Sequence, residues 1–138
     1  MKLWVIAVGH KMPAWAETAT QDYLKRMPAD CAIQIKELKP DISPAKEAIK
    51  IREALPKGVH IIALDERGKD QTTQNLATQL ANWRQDGFDI TFLIGGADGY
   101  LYQFLLANDT RINFSESTWL DGRLAYRLAD NYEKFKQT

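Results

Sequence analysis

The sequence has little of what several classes of protein require. It contains one cysteine, Cys31, among 138 residues, so an internal disulfide framework is excluded and a reducing compartment, the cytoplasm, is expected. No apolar run approaches the roughly 20 residues that span a bilayer, so we expect no membrane segment. Acidic and basic residues are equal in number, 18 of each. This balance argues against nucleic-acid binding through overall charge alone, although it is compatible with one local basic face.

Reactive side chains are also scarce. The two histidines, His10 and His60, have no cysteine or carboxylate at metal-ligand spacing, so no metal site is expected. The sequence has no nucleophile elbow, no phosphate-binding P-loop and no dinucleotide-binding glycine fingerprint. An enzyme with so few reactive groups needs a reactive cosubstrate, which the protein binds and orients. No residue is predicted as catalytic.

The apolar runs of the chain predict strands. Continuous runs predict buried strands, and alternation of apolar with polar residues predicts a half-exposed strand. The buried strands are expected over 2–8, 59–64 and 88–94, the half-exposed strand over 32–38, and a short fifth strand over 112–114.

Helices are predicted between these strands. Proline and threonine at suitable starting positions, with glycine or proline beyond the ends, indicate their limits. Thr118-Trp119-Leu120-Asp121 resembles a capping box and predicts the start of a last helix. The other helices are expected over 13–27, over 44–55, from a cap at Thr72 or Thr73 to an end at Gly87, and over 101–107. This alternation predicts an α/β fold with a mostly parallel sheet flanked by helices, in a single domain of residues 1–138.

Paired glycines follow the strand predicted at 88–94, in the stretch Ile94-Gly95-Gly96-Ala97-Asp98-Gly99. Glycine has no Cβ, so a ligand can come close to the backbone there, and ligands of open α/β sheets bind at such strand ends. A plain turn is the alternative interpretation. Three segments after strands, 64–69, 94–99 and 114–119, could meet at one end of the sheet and suit a flat, adenine-like ring. Leu64 is equally compatible with a core position, and Ser115, Ser117 and Thr118 with turn and capping roles.

Several of these motifs together resemble a known family. They are Ala7-Val8-Gly9, Lys11-Met12-Pro13 with Trp15, Leu64-Asp65-Glu66-Arg67-Gly68-Lys69 and the 94–99 stretch. In this order the motifs are similar to those of the ribosomal RNA large subunit methyltransferase H family, which belongs to the SPOUT methyltransferases. The resemblance implies a trefoil-knotted α/β fold, a homodimer and S-adenosylmethionine as the methyl donor. It also implies methylation of N3 of a pseudouridine in 23S ribosomal RNA within the ribosome.

The resemblance also implies a set of cofactor-binding residues. Leu64 matches the family's cofactor-contacting leucine, and Gly95 matches the first glycine of its Ile-Gly-Gly motif. The remaining candidates form the loop that wraps the adenine in the family: Phe114, Ser115, Glu116, Ser117, Thr118 and Trp119. Lys11 and Arg26 are candidates for RNA contact, with solvated surface charge as the alternative.

The end of the sequence departs from the family. After Trp119 the chain reads Leu120-Asp121-Gly122 where members have Pro-His, and the basic, histidine-bearing tail is missing. This departure leaves a second hypothesis open, a catalytically impaired dimer that binds cofactor or RNA. A metabolite-binding α/β protein without an RNA partner is a third. The apolar stripes of the first and last predicted helices are compatible with a dimer interface or with the core of a monomer.

Overall fold

Strands and helices alternate along the part of the chain that the computed structural model describes, which comprises residues 1–9, 13–65, 71–95 and 118–121. The helices are α1 (Ala14–Arg26), α2 (Pro44–Ala54) and α3 (Thr73–Asp86). The strands are β1 (Leu3–Val8), β2 (Ile33–Leu38), β3 (His60–Asp65), β4 (Ile90–Ile94) and β5 (Thr118–Asp121).

The strands form one sheet in the order β2-β1-β4-β3-β5, with each neighbouring pair parallel. In the register, Leu93 of β4 lies opposite Ile6 of β1 on one side and Ala63 of β3 on the other. Strands buried on both faces are near-continuous apolar runs, and β4 matches this pattern except at the buried Thr91. The predicted α/β fold with a mostly parallel sheet is therefore confirmed.

Helices cover both faces of the sheet. On one face, α2 packs Ala48 and Ile51 against side chains of β1, β3 and β4. On the other face, Trp83 of α3 packs with Leu3, Ile62 and Ile90. Right-handed crossovers place helices on alternate sides when the strand order changes direction, which accounts for this division.

The predicted helix limits agree with the caps in the structure. The Ser43 side chain accepts a hydrogen bond from the Ala45 N–H (3.2 Å), and the Thr72 side chain accepts one from the Asn75 N–H (3.0 Å). Gly87 ends α3 with a φ of 76°, a left-handed conformation that favours glycine. Phe88 then donates its N–H to the Trp83 carbonyl (3.0 Å), so its N–H is used by the helix end. For this reason β4 begins at Ile90, two residues later than predicted.

The prediction of a helix start at Thr118-Trp119-Leu120-Asp121 is wrong, because these residues form β5. Thr118 lies opposite Ile62 and Leu120 opposite Leu64 in parallel register with β3. The capping signal is local, whereas threonine, tryptophan and leucine in sequence also suit a strand when a partner strand is available. Pairing with β3 therefore overrides the local signal. Three further predictions lie outside the described residues: the helix over 101–107, the strand over 112–114 and the rest of the last helix.

No helix in the described ranges is long and apolar enough to span a bilayer.

The chain between β4 and β5 lies outside the described residues apart from Gly95. The trefoil knot and the single domain over residues 1–138 therefore stay predictions.

Two isoleucines of α2 provide a matched test of the core. Ile51 is 1% exposed in the cluster under α2, whereas Ile49 is 47% exposed on the outer side. We expect Ile51→Ala to lower the free energy of unfolding by about 2–5 kcal/mol, because it leaves a cavity. Ile49→Ala should change it by no more than about 0.5 kcal/mol. Urea unfolding followed by circular dichroism measures both values, and equal losses would contradict the described packing.

Asp41 provides a test that depends on pH. Partial burial opposes its charged form, but the Ile42 N–H and the Lys50 ammonium prevail and lower the pKa of Asp41 below its ordinary 3.8. A carboxyl with a lowered pKa stabilises the fold above the unfolded value, and this contribution is lost as the pH falls through the folded pKa. Asp41→Asn should therefore reduce stability at pH 6, and the difference from the wild type should shrink below pH 3.8. A constant difference in unfolding midpoint across this range would contradict the assignment.

Candidate functional site

The candidate site lies at the carboxyl ends of β4, β3 and β5. Leu64 of β3 lies opposite Ile94 of β4 on one side and opposite Leu120 of β5 on the other. Neighbouring strands are about 4.8 Å apart, so the three backbones end side by side. This edge is where ligands bind in open α/β sheets.

Leu64 serves the core and also reaches this edge. Its half-buried side chain packs against the cluster that contains Ile62 and Trp83. Leu64 is also the next-to-last residue of β3, which extends to Asp65. The core interpretation is therefore correct, and it leaves the predicted cofactor contact compatible with the position.

Gly95 follows β4 directly and is half-buried. The preceding residue, Ile94, is held between Ala7 of β1 and Leu64 of β3. Two neighbouring strands thus fix the backbone up to the glycine, which has no side chain to keep a ligand away. The rest of the glycine-rich stretch, 96–99, lies outside the described residues.

The predicted adenine loop is only partly described. Phe114, Ser115, Glu116 and Ser117 lie outside the described residues. The sequence predicts that Thr118 and Trp119 lie in a segment after a strand. In the structure they are the first two residues of β5 and lie opposite Ile62 and Ala63 of β3. The strand β5 therefore begins two residues before Leu120, the residue that lies opposite Leu64. Their predicted role in cofactor binding stays a prediction.

The structure also draws attention to Gln71, which the sequence analysis did not select. Its side chain is 8% exposed, just before α3 begins at Thr73. The connection from β3 to α3 starts at the carboxyl edge, so Gln71 is a buried polar residue on the segment that leaves this edge. Gln71 and its neighbours in sequence, such as Thr72, are polar, so the pattern of apolar residues gives no indication that Gln71 is buried.

Of the two residues predicted to contact RNA, only Arg26 is described by the structure. Lys11 lies outside the described residues. The guanidinium carbon of Arg26 lies 5.6 Å from the centroid of the Tyr23 ring, a cation–π arrangement on the surface of α1. Arg26 thus has a partner within its own helix, which agrees with the surface-charge alternative, and RNA contact stays a prediction.

The described part of this edge offers backbone N–H and C=O groups at strand ends together with apolar side chains such as Leu64. Within the described ranges, no three histidine, cysteine or acidic side chains are grouped so that they could hold a metal ion. His60 lies at the opposite end of β3, where its ring stacks on Phe88 with centroids 5.7 Å apart. Strand-end backbone groups and apolar side chains suit the edge and face of a flat heterocycle.

Comparison with known proteins gives consistent matches. Residues 1–122 match the family described as predicted SPOUT methyltransferase. A protein of Polynucleobacter asymbioticus named ribosomal RNA large subunit methyltransferase H is 75% identical over 99 residues, which are 72% of this chain and 67% of that protein. A protein of the same name from Polynucleobacter necessarius is 66% identical over 99 residues, 64% of its length. A third, from Janthinobacterium sp. (strain Marseille), is 48% identical over 139 aligned positions, which cover 94% of this chain and 89% of that protein.

Proposed function

Because the chain belongs to the SPOUT methyltransferase family, we propose that it transfers a methyl group from S-adenosylmethionine to the large-subunit ribosomal RNA. The acceptor is N3 of a pseudouridine in 23S ribosomal RNA within the ribosome. The names of the relatives support ribosomal RNA of the large subunit as the substrate class. The donor and the acceptor atom come from the motif resemblance.

The observation that carries this proposal is the adjacency of Leu64 and Gly95 at one edge of the sheet. Leu64 and Ile94 are register partners, so the glycine after β4 lies next to the end of β3. The apolar side chain offers a wall for the adenine, and the glycine lets the donor approach backbone hydrogen-bonding groups. These residues fit the cofactor, and residues 114–119 would complete its site.

The mechanism requires mainly alignment from the protein. The bound donor would supply a methyl group made electrophilic by its sulfonium. Transfer would form the bond between N3 and the methyl carbon, break the bond between that carbon and the sulfonium sulfur, and release the N3 proton to a base or to water. The strand ends would hold the adenosine part in one orientation, which favours alignment of the methyl group with the acceptor nitrogen. Parallel pairing on both sides of Ile94 makes this edge rigid, which alignment of this kind requires.

Further parts of the proposal concern assembly and location. We expect a homodimer with a trefoil knot in each subunit, acting in the cytoplasm. Exposed aromatic side chains on α1, Trp15 and Tyr23, support an apolar contact with another subunit. A monomeric mass in solution would contradict the dimer.

A second candidate function is a dimer that binds the donor or RNA without transfer. It is favoured by the residues after Trp119, where Leu120-Asp121-Gly122 replaces the family's Pro-His. Residues near the acceptor base affect methyl transfer without necessarily affecting donor binding. Both candidate functions therefore predict binding of the donor, but only the first predicts methyl transfer.

Two glycines at the same edge provide a matched test of the donor site. Gly95→Ala should raise the dissociation constant of S-adenosylmethionine at least about tenfold, equivalent to about 1.4 kcal/mol, because the added methyl group meets the donor. Gly9 follows β1, and a Cβ added there meets no atom within 4 Å. Gly9→Ala should therefore bind the donor as the wild type does. Titration calorimetry measures both, and equal affinities for all three proteins would place the donor elsewhere.

The transfer reaction itself is tested with radiolabelled donor and ribosomes that lack the modification. We expect incorporation of label into 23S ribosomal RNA at one pseudouridine, and none into ribosomes that already carry the methyl group. Donor binding without incorporation would favour the second candidate. Absence of donor binding by the folded protein would contradict both.

A further inference from the structure

Lysine and isoleucine side chains form an exposed surface around the start of α2. Ile42, in the loop before the helix, is fully exposed at 103% relative accessibility, and Ile49 is exposed on the helix. A partner that covers these side chains gains free energy from the apolar area removed from water. We call the set Lys39, Ile42, Lys46, Ile49 and Lys50 the α2 surface.

The loop that carries Ile42 is held in one conformation by its own hydrogen bonds. The Asp41 N–H donates to Glu47 Oε1 and the Ile42 N–H donates to Asp41 Oδ1, both at 2.8 Å. Lys50 Nζ donates to the Lys39 carbonyl at 3.3 Å. A loop fixed before binding loses little conformational entropy when a partner arrives. The exposed isoleucine is therefore presented on a preorganised support.

The charges of this segment are sorted between inside and outside. Glu47 is only 7% exposed, and Asp41 forms an ion pair with Lys50 at 3.4 Å. Lys39 and Lys46 are exposed and have no ion-pair partner among the described residues. Asp41 and Glu47 thus support the loop, while Glu53 is exposed further along α2. Within residues 39–46 the exposed charged side chains are Lys39 and Lys46, which give this stretch a local positive surface although the chain has no net charge.

The α2 surface lies at the same edge of the sheet as the candidate site. The loop follows β2, and the Gly9 N–H after β1 donates to the Leu38 carbonyl at 3.1 Å. In the order β2-β1-β4, the end of β2 is two strand spacings, roughly 10 Å, from the end of β4. A macromolecule whose reactive base lies beside Gly95 would extend over this distance.

We propose that the α2 surface binds the ribosomal RNA around the target base, with Lys39 and Lys46 on phosphates and Ile42 on an exposed ribose or base. This inference rests on the proposed function, which supplies RNA as the substrate. Charge complementarity favours RNA over a second copy of the chain, because a two-fold contact through this surface would bring the same lysines of both copies together. Lysine contacts to phosphate position an RNA without reading its sequence.

The test uses the double variant Lys39→Gln/Lys46→Gln and the single variant Ile42→Ser. Association with ribosomes is measured by cosedimentation at several salt concentrations, independently of methyl transfer. We expect the double variant to bind about tenfold more weakly at physiological salt, with a salt slope smaller by about 1 per lysine. Ile42→Ser should weaken binding several-fold and leave the slope unchanged, because it removes no charge.

The matched control is the double variant Lys25→Gln/Lys57→Gln, which removes the same charge from two exposed positions. Lys25 lies near the end of α1 and Lys57 follows α2, so both lie toward the amino ends of the strands, away from the candidate site. It should bind as the wild type does. Calorimetry with S-adenosylmethionine should give equal affinities for all variants, which shows that they are folded.

The outcomes separate this inference from the proposed function. Equal binding by the two double variants, or wild-type protein that does not bind ribosomes, overturns the RNA surface. Binding that survives removal of the RNA by ribonuclease assigns the surface to a ribosomal protein and also overturns it. Absence of methyl transfer by wild-type protein that still binds ribosomes overturns the proposed function alone, and the α2 surface is then judged by the variants.

Discussion

Parallel pairing of β3 with β4 is the constraint on which the rest of the structure depends. It sets Leu64 beside Ile94 and thereby brings Gly95 next to the end of a strand some thirty residues earlier in the sequence. The same strand accepts β5 on its other side, where Leu120 lies opposite Leu64. Hydrogen bonds between strands fix this register, and a shift by one residue would turn each side chain to the opposite face. The core under α2 and the core under α3 both require the observed register.

The two cores explain why this edge is rigid. Ile62 and Ala63 are consecutive residues of β3, fully buried on opposite faces of the sheet. Each packs against a different helix, so β3 is held from both sides. Leu64 near the end of β3 is thereby held in place, and the pairing of Leu64 with Ile94 of β4 also fixes the backbone up to Gly95. A rigid edge of this kind suits an enzyme that works by orienting a reactive donor.

The start of α2 illustrates a different use of polar groups. Glu47 is buried, yet its carboxylate accepts the Asp41 N–H, so it carries a defined hydrogen bond. Its role is to hold a loop, and the loop in turn exposes Ile42. Net charge, which is zero over the whole chain, gives no indication of this arrangement. The distribution of charge between the inside and the outside of one segment decides what that segment can bind.

Local patterns in the sequence were sufficient to predict β1 to β4 and α1 to α3. Apolar runs predict β1, β3 and β4, while Ser43, Thr72 and Gly87 predict helix limits, because caps and periodicity depend on neighbours in sequence. Membership of the family was likewise evident from motifs such as residues 64–69 and 94–99. Tertiary pairing decided the rest. Thr118–Asp121 has the local signature of a helix start, and only the presence of β3 as a partner makes it a strand. The burial of Gln71, the exposure of Ile42 and the meeting of Leu64 with Gly95 also depend on contacts between distant segments, which no window of sequence contains.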